Sequence, residues 1–185
     1  DLRYYIKGQK VPIYTEPTTL EKVLAFFIRY RYHTLVLVVI TIAFLVRFSF
    51  LDTRLNLDGE NSRDIIIVQE ALKRHELPSV EQLSYAGAFM FGPVYYWLLM
   101  GGYALLPQVF ITPWILFGLV GVGIVIFLLY CGKKIGGNMF GIVVGFFAAI
   151  SPPLVVQSLT LGQQNFNTII FGVGLLLPIF FAKNQ

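Results

Sequence analysis

Apolar residues fall in long blocks divided by short polar stretches, and the blocks predict helices. From about 34 to 51 the chain reads TLVLVVITIAFLVRFSFL, which at 1.5 Å per residue is just long enough for the hydrocarbon core of a bilayer. Three further blocks, about 113–130, 139–156 and 168–182, predict three more spans. After the first span comes a polar stretch over about 52–92 in which Ile65, Val68, Ala71 and Leu72 share one helical face opposite Glu70, Lys73 and Arg74. With Asn61, Ser62 and Asp64 as helix-start chemistry, this predicts a surface helix over about 62–76, ending before Pro78. The next apolar block, about 93–106, is too short to cross and carries a double glycine. It predicts a second interfacial helix, with Tyr95, Tyr96, Trp97 and Tyr103 at the depth of aromatic belts. The expected fold class is all-α: a polytopic transmembrane helical protein with about four spans and two interfacial helices in a first outer loop, about 52–112.

The charge pattern orients this arrangement. Residues 1–33 form a basic head, and the spacing of Val23, Leu24, Phe26, Phe27 and Tyr30 predicts a short interfacial helix within it. All ten acids lie at or before Glu81, and beyond it the only charges are Lys133, Lys134 and Lys183. Positive residues mark the cytoplasmic side, so the head and the Lys133–Lys134 turn are expected inside and the acidic loop outside. That alternation holds only if 93–106 stays at the surface. The expected location is the cell membrane, multi-pass, with a cytoplasmic N-terminus.

Composition narrows the chemistry. The chain is 56% hydrophobic and 13% charged, against about a quarter charged in an ordinary soluble domain, which counts against a water-soluble globular reading. One cysteine, Cys131, excludes an internal disulfide and a cysteine metal cluster, and two histidines are too few for a histidine-rich one. The net charge of +4 is scattered over tails and loops without a basic stripe, so no nucleic-acid partner is expected. No phosphate-binding glycine loop or Ser/His/Asp pattern is present. Gly137, Gly141 and Gly145, spaced by four, allow close helix contact. His75, alone on the flank of the surface helix, is expected to be structural.

The sharpest local feature is the run Asp58, Gly59, Glu60, Asn61, Ser62, Arg63, Asp64 at the mouth of the first span. Carboxylates at a low-dielectric boundary can have raised pKa values or bind a divalent cation, and either property suits a base that deprotonates an acceptor. The same residues also read as a solvated loop with a helix cap. Arg63 and Arg47 offer planar forks to a phosphate or pyrophosphate. Pairing of Arg63 with Asp64, and snorkelling of Arg47 to the head groups, are the plainer alternatives. The turn between the third and fourth expected spans carries Gln163, Gln164, Asn165 and Asn167, on the same expected side as the acidic loop.

Taken in order, these parts resemble membrane glycosyltransferases of the GT-C fold, most closely the branch with protein O-mannosyltransferases and the lipid A aminoarabinose transferases. The likeness covers roughly residues 35–182. It rests on FLVRFSFLDTRLNLD, on Glu60–Asn61–Ser62–Arg63 at the place of an Asp-Glu/Gln-x-Arg motif, and on Phe91–Gly92–Pro93 leading into Val94, Tyr95, Tyr96, Trp97 and Leu98. The basic turn CGKKIGGNMFG and Ser151–Pro152 complete it. The resemblance implies a lipid-linked sugar as donor, held as a polyprenyl phosphate at the outer bilayer surface. It implies Glu60 as the catalytic base with Asp58 second, Arg63 organising the loop or the donor phosphate, and inversion in a single displacement. It also implies that the chain is the N-terminal part of a longer protein. The alternative expectation is a non-catalytic membrane subunit or a transporter fragment. A transporter should carry ionisable groups at mid-membrane, and none of the four expected spans has one at its centre.

Overall fold

The computed structural model describes residues 3–6, 9–12, 18–20, 29–49, 51, 59–79, 92–106 and 110–181. The chain divides into two compact units, Asp1–Leu35 and Val36–Gln185. In the first, strands β1 (Arg3–Ile6) and β2 (Gln9–Pro12) pair antiparallel with Arg3 opposite Pro12 and Ile6 opposite Gln9. Apart from this short hairpin the elements among the described residues are helical, in keeping with the all-α expectation. The interfacial helix expected around 21–30 falls mostly outside the described residues.

The second unit is helical, and a helix occurs at each expected apolar block. α1 (Arg31–Phe48) has a narrow buried stripe of Val39, Ala43 and Arg47, spaced by four, and leaves Leu37, Val38, Phe44 and Leu45 exposed. α2 (Gly59–Arg74) and α3 (Val94–Leu105) follow, then α4 (Thr112–Ile150), α5 (Pro152–Leu159) and α6 (Gln163–Phe181). Two of these helices, α1 and α4, are long and apolar enough to cross a membrane.

α4 is two limbs joined at a break. Gly136 and Gly137 leave helical geometry, and Gly137 has φ 79° and ψ −174°, a region essentially reserved for glycine. The limbs then run side by side: a Cβ on Gly132 would stand 3.1 Å from the Gly141 Cα, and one on Gly145 3.0 Å from the Leu129 Cβ. Of the glycines spaced by four, Gly141 and Gly145 serve the contact, whereas Gly137 serves the turn. The second limb stops at Ile150, short of the expected boundary near 156. Pro152 and Pro153 have no N–H to offer the carbonyls of Ala148 and Ala149, so the chain breaks at Ser151 and restarts as α5.

α2 ends in a Schellman motif. The His75 N–H donates to the Leu72 carbonyl and the Glu76 N–H to the Ala71 carbonyl, with His75 at φ 55° where glycine is usual. His75 is thus a helix terminator. The strap beyond it is tied to α3 by the Trp97 Nε1–H, which donates to the Pro78 carbonyl at 2.9 Å.

Two apolar clusters hold the unit together. One joins α1 to both limbs of α4 through Val39, Ala43, Val122, Val125, Leu129 and Ala149. The other joins α2, α3, the start of α4 and the α5–α6 turn through Val68, Tyr95, Leu99, Trp114, Phe117 and Phe166. Tyr95, Tyr96 and Tyr103 lie in this second cluster, buried, and not at an aromatic belt. The pairing of α2 with α3 turns them inward, and leaves Val94, Trp97 and Leu105 as the exposed stripe of α3.

Candidate functional site

The first turns of α2 carry Glu60, Asn61, Arg63 and Asp64. Helical periodicity places Asn61, Asp64, Ile65 and Val68 on one face, and all four are buried, so the polar helix start continues the apolar stripe into the protein. Tyr96 makes this possible. Its hydroxyl donates to Asp64 Oδ1 at 3.0 Å. The neighbouring Arg63 donates to the same oxygen from Nη2 at 3.0 Å and Nε at 3.3 Å. The buried carboxylate therefore has a cation and a neutral donor, which satisfies the requirement that a buried charge be paired and hydrogen-bonded.

The Arg63 side chain is 41% exposed and that of Asp64 only 6%, so the guanidinium reaches from the buried carboxylate to the surface. Desolvation works against the Arg63 charge but is outweighed by the hydrogen bond and charge of Asp64, helped by Tyr96 and Glu60; the guanidinium is held above its ordinary value. Glu60 is exposed one turn before Asp64.

A second wall meets this one on α3. The Tyr95 ring packs against Phe117 of α4 at 5.9 Å and Phe166 of α6 at 6.0 Å. Since Tyr95 and Tyr96 are adjacent, one turn of α3 bonds the acidic start of α2 and packs against the start of α6. Phe166 lies between Asn165 and Asn167 in sequence, so the amide-rich helix start and the carboxylate-rich one share one end of this unit. The side chains of Gln163, Gln164, Asn165 and Asn167, and the whole of Asp58, lie outside the described residues. Among the described residues, no group of three or more His, Cys, Asp or Glu converges as a metal site.

Arg47 stands apart from this group and does not snorkel. It is 1% exposed, enclosed where α1 meets α4 and α5. Its Nη1 donates to the Ala43 and Ala149 carbonyls, each at 3.2 Å. Room exists because position 121 is glycine: a Cβ there would stand 2.7 Å from Arg47 Nε and collide with Ser158.

From Phe166 an apolar groove of about 420 Å³ runs along α6 against the first limb of α4, lined by Val120, Ile124, Phe127, Ile169, Val173 and Leu177 among others. Sequence reasoning placed Asp64 only as helix-start chemistry or as a partner of Arg63, and missed Tyr96 as its second partner. The common face of Asp64, Ile65 and Val68 was a readable signal for burial, whereas the Tyr96 contact joins residues 32 apart and had none.

Compared with known proteins, the chain matches no family model, no curated protein and no solved structure.

Proposed function

We propose that this chain is the N-terminal part of an inverting GT-C type membrane glycosyltransferase that takes its sugar from a polyprenyl phosphate and passes it to an acceptor on the outer face. In this reading four spans cross the cell membrane: α1, the two limbs of α4 with α5 extending the second, and α6. The basic head and the Lys133–Lys134 turn lie inside. α2 and α3 lie at the outer surface.

One observation carries the reading: adjacent Tyr95 and Tyr96 bring the acidic start of α2 and the amide-rich start of α6 to one end of the unit. The groove that leaves Phe166 along α6 supports a lipid-linked donor, since an isoprenoid tail needs an apolar path beginning beside the polar site. The chemistry then divides among named groups. Glu60, exposed at the helix start, takes the proton of the acceptor. The acceptor atom bonds to the anomeric carbon as the bond from that carbon to the phosphate oxygen breaks, and the carrier leaves as polyprenyl phosphate. Arg63, anchored by Asp64 and extending to the surface, offsets the charge on that leaving group. Asp58 assists Glu60 as a second carboxylate.

A non-catalytic subunit or transporter fragment would draw on Arg47, an ionisable residue buried in a helix of spanning length. Its Nη1 is held by two carbonyls, which supports a packing role over a transport path; its Nε is buried without a partner among the described residues.

The test uses the full-length protein in membranes with a radiolabelled polyprenyl-phosphate sugar, comparing wild type with Glu60→Gln, Asp58→Asn and Asp64→Asn. Loss of transfer by roughly 100-fold or more in Glu60→Gln, with normal expression, is expected for a general base. Full activity in both Glu60→Gln and Asp58→Asn overturns the assignment.

A further inference from the structure

The break between α4 and α5 leaves a specific deficit. In an uninterrupted helix the Ala149 carbonyl would accept from the N–H of residue 153, which here is Pro153 and has none. Away from water an unfilled carbonyl is costly, and irregular backbone within a membrane is tolerated only where protein groups satisfy it. Arg47 fills this place from another helix, 102 residues away in sequence, with Nη1 at 3.2 Å from the Ala149 oxygen.

The same geometry accounts for the charge. Arg47 lies in the last turn of α1 and Ala149 in the last turn of α4. The C-terminal ends of both helices, each with partial negative charge, therefore meet at the guanidinium. Ser158 is turned away from it, its hydroxyl donating to the Val155 carbonyl, so Arg47 is the donor aimed at the break.

We propose that Arg47 is a conformational lock on the proline break. By supplying the donor that Pro153 withholds, it fixes the last turn of α4 to the last turn of α1, and with it the point from which α5 departs. This role is independent of the glycosyltransferase reading and differs from an anion contact. Arg47 is required because of the prolines, and not because a phosphate arrives.

The experiment is a mutant cycle in the full-length protein, comparing thermal midpoints of wild type, Arg47→Met, the proline variant Pro152→Ala/Pro153→Ala and the combination, with Arg47→Lys as the conservative variant. Arg47→Met should lower the midpoint by roughly 5 °C or more. In the Pro152→Ala/Pro153→Ala background, where Ser151 is free to turn helical and residue 153 regains an N–H for the Ala149 carbonyl, that drop should fall to half or less, and Arg47→Lys should lie between wild type and Arg47→Met. If Arg47→Met yields no folded protein, the readout becomes recovery of monodisperse protein in the combined variant, and absence of recovery overturns the proposal. Equal drops in both backgrounds overturn it as well. So does a midpoint that Arg47→Met leaves unchanged.

Discussion

The Tyr96 hydroxyl donates to Asp64 Oδ1 at 3.0 Å, so that α3 grips the second turn of α2 through a carboxylate that is almost wholly withdrawn from solvent. A neutral donor to a buried anion contributes more than an ordinary hydrogen bond, and its removal leaves the anion with Arg63 alone. Tyr96→Phe should therefore destabilise by about 1.5–3 kcal/mol, and by much less once Asp64→Asn has removed the charge. Denaturation of the four proteins of this cycle in one detergent measures the coupling. Equal losses in both backgrounds would show that the two groups do not interact.

Gly121 and Gly123 lie two residues apart on the same limb of α4 and predict opposite outcomes. A methyl group on Gly121 meets Ser158 and Arg47, whereas one on Gly123 meets nothing within 4 Å. Gly121→Ala should cost about 1–3 kcal/mol through overpacking, and Gly123→Ala should be neutral or stabilise by up to about 1 kcal/mol through helix propensity. Thermal midpoints of the two variants decide it, and a common sign would discredit the α1–α4–α5 packing.

Tyr103 makes stability depend on alkaline pH. Burial pushes its phenol up, and Gln69 of α2 opposes the shift without closing a hydrogen bond of ordinary geometry, so the hydroxyl is left buried and unpartnered. The folded state then holds its proton more tightly than the unfolded state does. This titration leaves stability unchanged below the ordinary tyrosine value of about 10, and stability falls as pH rises from there through the raised folded value. Midpoints measured from pH 8 upward should decline more steeply in wild type than in Tyr103→Phe, and parallel curves would count against this assignment. At neutral pH Tyr103→Phe removes an unsatisfied group and should be neutral or stabilise by up to about 1 kcal/mol.

Topology is tested chemically. Ser79 and Lys133 are both exposed, and the single native cysteine, Cys131, is buried and can be replaced by serine as background. In intact cells an impermeant maleimide should label Ser79→Cys and spare Lys133→Cys until the membrane is opened. The reverse pattern would put the Glu60 helix on the wrong face for the proposed chemistry.

The helices were legible because apolar blocks and helical spacing are local properties. Ile65 and Val68 mark the inner face of α2, and the polar Lys133–Gly137 stretch marks the turn within α4. The fates of the polar side chains were not legible. Arg47 looked like a snorkelling anchor because a sequence shows the hydrophobic stretch around it but not the glycine at 121 that lets it turn inward. Tyr95 and Tyr96 looked like belt residues because an aromatic stripe has the same spacing whether it meets lipid or another helix. The α4–α5 break was partly visible as Ser151–Pro152, but its consequence, an unfilled carbonyl at Ala149, depends on a donor more than a hundred positions upstream.

The turn at Gly137 and the tie at Ala149 lie near opposite ends of the second limb of α4, and they differ in when they can form. Bringing Gly132 against Gly141 closes only a short loop, whereas Arg47 must be found across 102 residues, and the entropic cost of closure rises with loop length. A nascent chain that stops just short of Ala149 can already hold the folded-back glycine contact, yet it has no acceptor for Arg47. Until synthesis passes that point, the guanidinium at the end of α1 must be satisfied by water or by lipid.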